Sequence, residues 1–236
     1  MKAIILAGGE GTRLRPLTYT TPKPLIDVQG QTLTEHVFDI LKKYNITDII
    51  LSLGYKAEKI KQHFSDGAKF RLKINYLIEE KPMGTAGPLV LMKQIGCEEK
   101  EDFIVINGDN LFALDLNKML EFHISHDGIA TIALTKVDDV THYGIAKMDD
   151  DKIVDFIEKP AEENAPSNYA NSGYYIFKPE IYKYIPDNDF VMFEKDVFPK
   201  LASDEKLYGF KSNAQWFDTG TFKRYEDVKN NWQGPK

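Results

Sequence analysis

From its second residue the chain alternates short apolar runs with amphipathic stretches. Ala3-Ile4-Ile5-Leu6-Ala7 is continuously apolar, the pattern of a central strand buried on both faces. Thr34 to Leu41 places Val37, Ile40 and Leu41 on one helical face. Asp48–Leu53 predicts a second strand, Ala57–Phe64 a second helix, Ile74–Ile78 a third strand, Ala86–Lys93 a helix and Phe103–Ile106 a fourth strand. Such alternation predicts a doubly wound, mainly parallel α/β sheet. From Ile129 the strands become shorter: Ile129–Leu134, Gly144–Met148, Ile153–Ile157 and Tyr174–Phe177, with a closing helix over Phe222–Asn231. We expect one domain over 1–236, with halves at 1–128 and 129–236. The loop Ala161–Pro166 is expected to be its most mobile segment. No repeat or low-complexity segment interrupts it.

The first strand runs into Gly8-Gly9-Glu10-Gly11-Thr12-Arg13-Leu14-Arg15, and Pro22-Lys23-Pro24-Leu25 follows. Glycines let backbone N–H groups approach a ligand closely. Arg13, Arg15 and Lys23 add three cations nearby, a combination suited to holding a polyphosphate. Prolines on both sides of Lys23 restrict φ and suggest a lysine aimed at one place. The loop is not a P-loop, because no Gly-Lys-Ser/Thr follows at the required spacing. Nor is it G-x-G-x-x-G, since Leu14 stands where a third glycine is needed.

The string Gly8-Gly9-x-Gly11-Thr12-Arg13-Leu14-x-Pro16-Leu17-Thr18 with Pro22-Lys23-Pro24-Leu25 resembles the signature of the sugar-1-phosphate nucleotidylyltransferases, also called nucleotide-sugar pyrophosphorylases. Further matches follow in the family's order: Gly84-Thr85-Ala86-Gly87-Pro88-Leu89, Asn107-Gly108-Asp109, Glu158-Lys159-Pro160, Asn171-Ser172-Gly173-Tyr174 and Trp216-Phe217-Asp218-Thr219-Gly220. The resemblance spans nearly the whole chain. It implies a Rossmann-like α/β fold with a mainly parallel mixed sheet and helices on both faces. The first half would bind nucleotide and the second half sugar phosphate. The segment 84–89 looks most like mannose-1-phosphate guanylyltransferases. Many family members continue into a left-handed β-helix; this sequence reaches Lys236 without one, so neither acyltransferase activity nor an allosteric function on such a tail is expected.

The implied reaction is attack by a sugar-1-phosphate oxygen on the α-phosphorus of an NTP, with release of pyrophosphate. Both reactants are anions, so positioning and charge stabilisation should dominate. On the family's pattern, Leu6, Ala7, Gly8, Gly9, Gly11, Thr12, Arg13, Lys23, Glu79, Gly84, Thr85 and Asp109 would bind the nucleotide. Arg13, Lys23 and Asp109 would be catalytic, with Arg13 on the leaving pyrophosphate and Lys23 near the α-phosphate. Asp109 and Asp218 would hold Mg²⁺, which prefers oxygen ligands. Tyr143, Gly144, Glu158, Lys159, Asn171 and Gly173 would take the sugar phosphate, Lys159 on its phosphate. Phe193-Glu194-Lys195-Asp196-Val197-Phe198-Pro199 resembles a segment common in mannose- and heptose-phosphate guanylyltransferases; it reads as a packed helix, with Glu194 a further candidate. Taken alone, each aspartate reads more often as a turn or capping residue; for Glu158 the alternative to sugar binding is a surface salt bridge with a neighbouring lysine.

Family members read the base with the segment before the Gly-rich helix, here Ile78-Glu79-Glu80-Lys81-Pro82-Met83-Gly84, so the resemblance implies that role for Glu79. Thymidylyl- and many uridylyltransferases carry glutamine there. An ionised carboxylate only accepts hydrogen bonds, and guanine offers adjacent N1–H and 2-amino donors. GTP with mannose-1-phosphate is therefore favoured. A UTP- or dTTP-dependent enzyme acting on glucose-1-phosphate or an amino-sugar phosphate stays open, as does a non-catalytic, nucleotide-sugar-binding regulatory subunit. The presence of Arg13, Lys23, Asp109, Lys159 and Asp218 weighs against the latter. A Rossmann oxidoreductase is a distant alternative, because Ser52-Leu53-Gly54 stands where a ribose-binding acid would be needed.

Composition narrows the picture further. Net charge is −6, which disfavours a nucleic-acid partner. Cys97 is the single cysteine, so no intrachain disulfide can form and a reducing, cytoplasmic location is expected. The apolar start is too short for a signal peptide, and no stretch is long enough to span a membrane. A homodimer is left open.

Overall fold

The computed structural model describes residues 1–235. The chain forms two compact units interleaved along the sequence. The first comprises 1–82, 105–114 and 214–236; the second comprises 83–104 and 115–213.

In the first unit, β1 (Lys2–Leu6) is the central strand. Ala3, Ile4 and Ile5 are fully buried, as its unbroken apolar run requires. A small hairpin, β2 (Asp27–Val28) and β3 (Gln31–Thr32), precedes helix α1 (Leu33–Lys43). Thr32 and Glu35 form a reciprocal capping box at the start of α1. Strand β4 (Asp48–Leu53), helix α2 (Ala57–Phe64) and strand β5 (Lys73–Ile78) complete the alternation. Parallel pairing joins β1 to β4 and β4 to β5. The strand order is β5-β4-β1-β6, where β6 (Phe103–Asn107) gives its last three residues to this unit. A separate two-stranded ribbon pairs β7 (Asn110–Phe112) antiparallel with a strand from near the chain's end, Trp216–Asp218, labelled β13.

The second unit holds helices α3 (Gly87–Gln94), α4 (Leu116–Ser125) and α5 (Phe198–Ser203). Its strands are β8 (Ala130–Lys136), β9 (Gly144–Asp149), β10 (Lys152–Glu158), β11 (Tyr169–Phe177) and β12 (Leu207–Lys211). They run in the order β11-β8-β12-β10-β9, and β9 also pairs with β11, so the ribbon curls back on itself. Only the β8–β12 pairing is parallel; the rest are antiparallel. The expected Rossmann-like α/β fold with a mixed sheet is borne out, with its regular parallel part in the first unit. The segment 193–197 is a π-helical turn leading into α5, and Glu162–Asn164 forms a short 3₁₀ turn inside the loop expected to be mobile. Helix α6 (Phe222–Asn231) closes the first unit. No helix among the described residues is long and apolar enough to cross a membrane.

Gly84 shows how local backbone determines the entry to α3. Its φ is +83°, and a Cβ there would lie 2.2 Å from the Val191 carbonyl oxygen. That carbonyl is fixed, because Ala86 N–H donates to it and Val191 N–H donates to Met83 O. We expect Gly84→Ala to destabilise the protein by about 3 kcal/mol, the upper range for a single substitution, through a backbone clash combined with left-handed strain. A lowered urea midpoint with unchanged m-value is the readout.

Candidate active site

The Gly-rich loop leaves β1 with its amides unspent. Leu14 and Arg15 N–H groups close the first 3₁₀ turn onto Gly11 and Thr12 carbonyls. The N–H groups of Gly8, Gly9, Glu10, Gly11, Thr12 and Arg13 donate to no protein acceptor among the described residues. Six consecutive amides without a protein acceptor are a donor set suited to an anion. Gly11 has φ +63°, and a Cβ there would meet Thr18 Cγ2 at 2.9 Å and Lys23 Cβ at 3.2 Å. The buried Thr18 hydroxyl donates to Gly11 O at 2.9 Å, so the loop folds down over the segment carrying Lys23.

The β4–α2 junction buttresses this loop, a feature that a scan for charged motifs passes over. Tyr55 N–H donates to Gly8 O at 3.1 Å. Lys56, itself left-handed at φ +53°, donates its ammonium to Thr18 O at 3.3 Å and to Tyr19 O. Lys59 donates to Thr20 O at 3.1 Å. Three consecutive carbonyls between the glycines and Lys23 are thus held by two lysines of one helix. The signal in the sequence was the Lys-x-x-Lys spacing at the start of α2.

Asp109 reaches the same unit's ligand-facing end from β6. Gly108 N–H donates to Leu6 O at 3.0 Å, and a Cβ at 108 would stand 2.7 Å from that oxygen, so only glycine lets the chain pass β1 there. Lys23 Nζ donates to Asp109 Oδ2 at 2.6 Å. Burial pushes the Asp109 carboxyl up, but Lys23 and then Arg13 outweigh it and hold it below the usual carboxylate range. Asp218, more than a hundred residues on, arrives through the β7–β13 ribbon, where it pairs with Asn110. Thr219 N–H and hydroxyl both donate to Asp109 O, at 3.0 and 2.8 Å. Gly220 N–H donates to Asp218 Oδ1 at 2.6 Å and Arg224 Nη1 to Oδ2 at 2.5 Å. Burial first, and the Asp109 charge second, push the Asp218 carboxyl up against the pull of Lys23 and Arg224. A Cβ on Gly220 would meet Arg13 Nη2 at 3.2 Å, which places the Arg13 guanidinium beside this pair. Arg224 was not foreseen. Its position three residues after the helix-capping Thr221 is what turns it back toward Asp218.

Glu79 also lies here. Ser52 Oγ donates to its Oε1 at 2.7 Å, and that oxygen lies 3.6 Å from where a Gly8 Cβ would stand. The carboxylate therefore sits over the start of the Gly-rich loop. Leu6, Ala7, Gly8, Gly9, Gly11, Thr12, Arg13, Lys23, Glu79, Asp109 and Asp218 are all gathered in the first unit.

In the second unit, Glu158 pairs across the β9–β10 ladder with Gly144. A Cβ on Gly144 would fall 2.9 Å from Glu158 Oε2. Lys159 is left-handed at φ +49°; its N–H donates to Tyr143 O at 3.0 Å and its ammonium to Glu158 Oε1 at 2.7 Å. Glu194 is buried in the same region: burial chiefly, and Glu158 in addition, push its carboxyl up, against the Thr85 hydroxyl and Lys159. Thr85 donates to Glu194 Oε2 at 2.6 Å and accepts from Phe193 N–H at 2.9 Å, so its hydroxyl ties two segments of this unit together. Asn171 is also engaged: its Nδ2 donates to Tyr175 Oη at 3.0 Å and its Oδ1 accepts Gly173 N–H at 2.9 Å. It pins the β11 irregularity where Gly173 takes φ +77°.

The nucleotidyl transferase family model matches residues 2–233. The chain belongs to this family. It is 37% identical over 229 residues to the probable mannose-1-phosphate guanylyltransferase 1 of Oryza sativa subsp. japonica, covering 95% of this chain and 63% of that protein. The chain thus spans about three fifths of the length of the curated relatives it matches. Among solved structures it is similar to HddC from Yersinia pseudotuberculosis, with TM-score 0.81 and 32% identity over 97% of this chain and 98% of that one; HddC has also been solved with GMP-PN. It is likewise similar to a putative glucose-1-phosphate thymidylyltransferase from Bacillus anthracis, with TM-score 0.88 and 28% identity over 98% of this chain and 94% of that one.

Two outcomes follow for this nucleotidyl transferase. A native carboxyl pKa lowered by cations adds stability above the unfolded-state pKa that is lost as pH falls; a raised one withholds stability above the native pKa, and that stability returns on acidification. In metal-free buffer at pH 8, Asp109→Asn should therefore lower the urea midpoint and Asp218→Asn should raise it, both differences shrinking as the pH enters the carboxylate range. Separately, Lys56→Met should weaken inorganic pyrophosphate binding by about fivefold, the equivalent of one net hydrogen bond, with unchanged circular dichroism.

Proposed function

We propose that this nucleotidyl transferase moves a guanylyl group from GTP to mannose-1-phosphate or a related manno-configured sugar phosphate and releases pyrophosphate. The observation that carries the reading is the run of six unspent amides at residues 8–13 beside Arg13, Lys23 and the two-aspartate cluster. The amides and Arg13 take the β- and γ-phosphates, which depart as pyrophosphate. Lys23 offsets charge that develops at the α-phosphate.

Among the described residues no three acids, histidines or cysteines converge as a metal cage. Two oxygen ligands from Asp109 and Asp218, completed by phosphate oxygens and water, fit Mg²⁺, whose protein sites use one or two carboxylates. Burial first and the Asp109 charge second push the Asp218 carboxyl up, and such a cation would offset both. When bound there, Mg²⁺ supplies charge neutralisation for the phosphates. Lys159 and Glu158 in the second unit take the sugar phosphate and a sugar hydroxyl.

Three points support guanine. Glu79 supplies only acceptors. Its carboxylate is held at the Gly-rich loop by Ser52. Relatives at 36–37% identity are named mannose-1-phosphate guanylyltransferases, and HddC has been solved with GMP-PN.

With Mg²⁺ and mannose-1-phosphate, pyrophosphate release should be at least about tenfold faster with GTP than with UTP or dTTP, one good hydrogen-bonded pair's worth. Glu79→Gln should erode that preference. An unchanged preference in the variant removes Glu79 from base recognition, and release with UTP or dTTP alone overturns the guanylyl assignment.

A further inference from the structure

A second basic site lies away from the Gly-rich loop. Gln31, α1 from Glu35 onward and the turn at residues 68–71 line an open depression of about 600 Å³, within the range of small-molecule sites. Four cations line it, Lys42, Lys43, Lys69 and Arg71, in a chain whose net charge is −6.

The two acids in its wall are already committed. Asp39 accepts from Lys42 at 2.7 Å and from Gln31 Nε2 at 3.2 Å. Glu35 accepts the Thr32 N–H of the capping box at 2.7 Å and meets His63 at 3.1 Å. That leaves Lys43, Lys69 and Arg71 with no carboxylate partner among the described residues. Lys43 and Lys69 lie instead over aromatic rings, at 5.6 Å from Tyr44 and 4.7 Å from Phe70.

The wall is also shaped in advance. Gly67 and Arg71 both have positive φ, +86° and +60°, and a Cβ on Gly67 would collide with Ile74 at 2.6 Å. Arg71 is held left-handed without being glycine, a backbone state that persists only where its surroundings enforce it. Phe70 is half-buried against Phe38 and Phe64, at 5.7 and 5.6 Å between ring centroids, and gives the cavity a rigid apolar wall.

We propose that this cavity is a second, non-catalytic anion site for a phosphorylated small molecule with a flat ring, the class of the nucleoside monophosphates. The phosphate is held by Lys43, Lys69 and Arg71, and the ring lies along Phe70. Arg supplies a planar fork for phosphate oxygens and Lys a mobile point charge. The site stands whether or not the guanylyl reading holds, because it shares no residue with the Gly-rich loop or the two aspartates.

The test is residue-resolved amide NMR of the whole chain with AMP, ribose 5-phosphate and inorganic phosphate as separate probes. AMP should give saturable shifts at Lys42, Lys43 and Lys69–Arg71, separate from any shifts at residues 8–13. It should bind at least fivefold tighter than ribose 5-phosphate. Lys69→Ala/Arg71→Ala should lose at least tenfold in AMP affinity at this site while shifts at residues 8–13 persist, and Lys43→Glu should weaken it independently. Shifts confined to residues 8–13, equal affinity for AMP and ribose 5-phosphate, or unchanged AMP binding in both variants would each overturn the proposal.

Discussion

The pairing of β7 with β13 brings two carboxylates from distant segments close enough to interact, and burial adds to the cost of charging both. Asp109 and Asp218 come from distant segments, yet the Asp218–Asn110 register and the two Thr219 bonds to Asp109 O leave them no freedom to separate. Unlike charges are arranged asymmetrically around them. Lys23 and Arg13 favour ionised Asp109, whereas Asp218 has Arg224 and the Gly220 amide but also faces Asp109. One acid is a settled anion and the other an unfavourable one. A site of this kind is stabilised by an added cation, which links its charge balance to substrate chemistry rather than to folding alone.

The Gly-rich loop shows the complementary strategy, in which donors are left unspent and kept in place from behind. The loop's residues are exposed or half-exposed, so water can serve the six donors until a ligand replaces it, while the loop's carbonyls are taken by the protein. Gly8 O is taken by Tyr55 N–H, Gly11 O by Thr18 Oγ1 and Leu14 N–H, and Thr18, Tyr19 and Thr20 carbonyls by Lys56 and Lys59. With these acceptors occupied, the donors are left to solvent or a ligand. Preorganisation of this kind lowers the ordering cost when an anion arrives.

Much of this was legible in the chain because it rests on local rules. The periodicity of 48–53, 57–64 and 222–231 matches the observed elements to the residue, since apolar spacing acts locally, with Thr221 also capping the last helix. Gly8, Gly11, Lys23 and Asp109 were identifiable because glycine and proline chemistry leaves a sequence signature. What stayed hidden depends on tertiary placement. Helix α4 was missed, although Asp115 caps it, because its apolar face is only partly continuous. Arg224 and Lys56 read as ordinary surface cations until the ribbon and the loop bring acceptors to them. Asn171 and Thr85 carry a tertiary role that residue type does not announce: their polar groups also hold the β11 irregularity and the π-helical turn.

The distribution of charge explains how such a protein can favour a small polyphosphate over larger polyanions. A nucleic acid is held by many cations spread along a face, each releasing counterions. Here the total charge is −6, and the cations that count are few, local and backed by backbone amides. Amides act only over hydrogen-bonding distance, whereas net charge acts over roughly a Debye length, about 8 Å at physiological salt. A compact anion held by the loop would gain those short-range donors, whereas an extended polyanion would gain nothing from them along the rest of its length and would meet a chain of net negative charge.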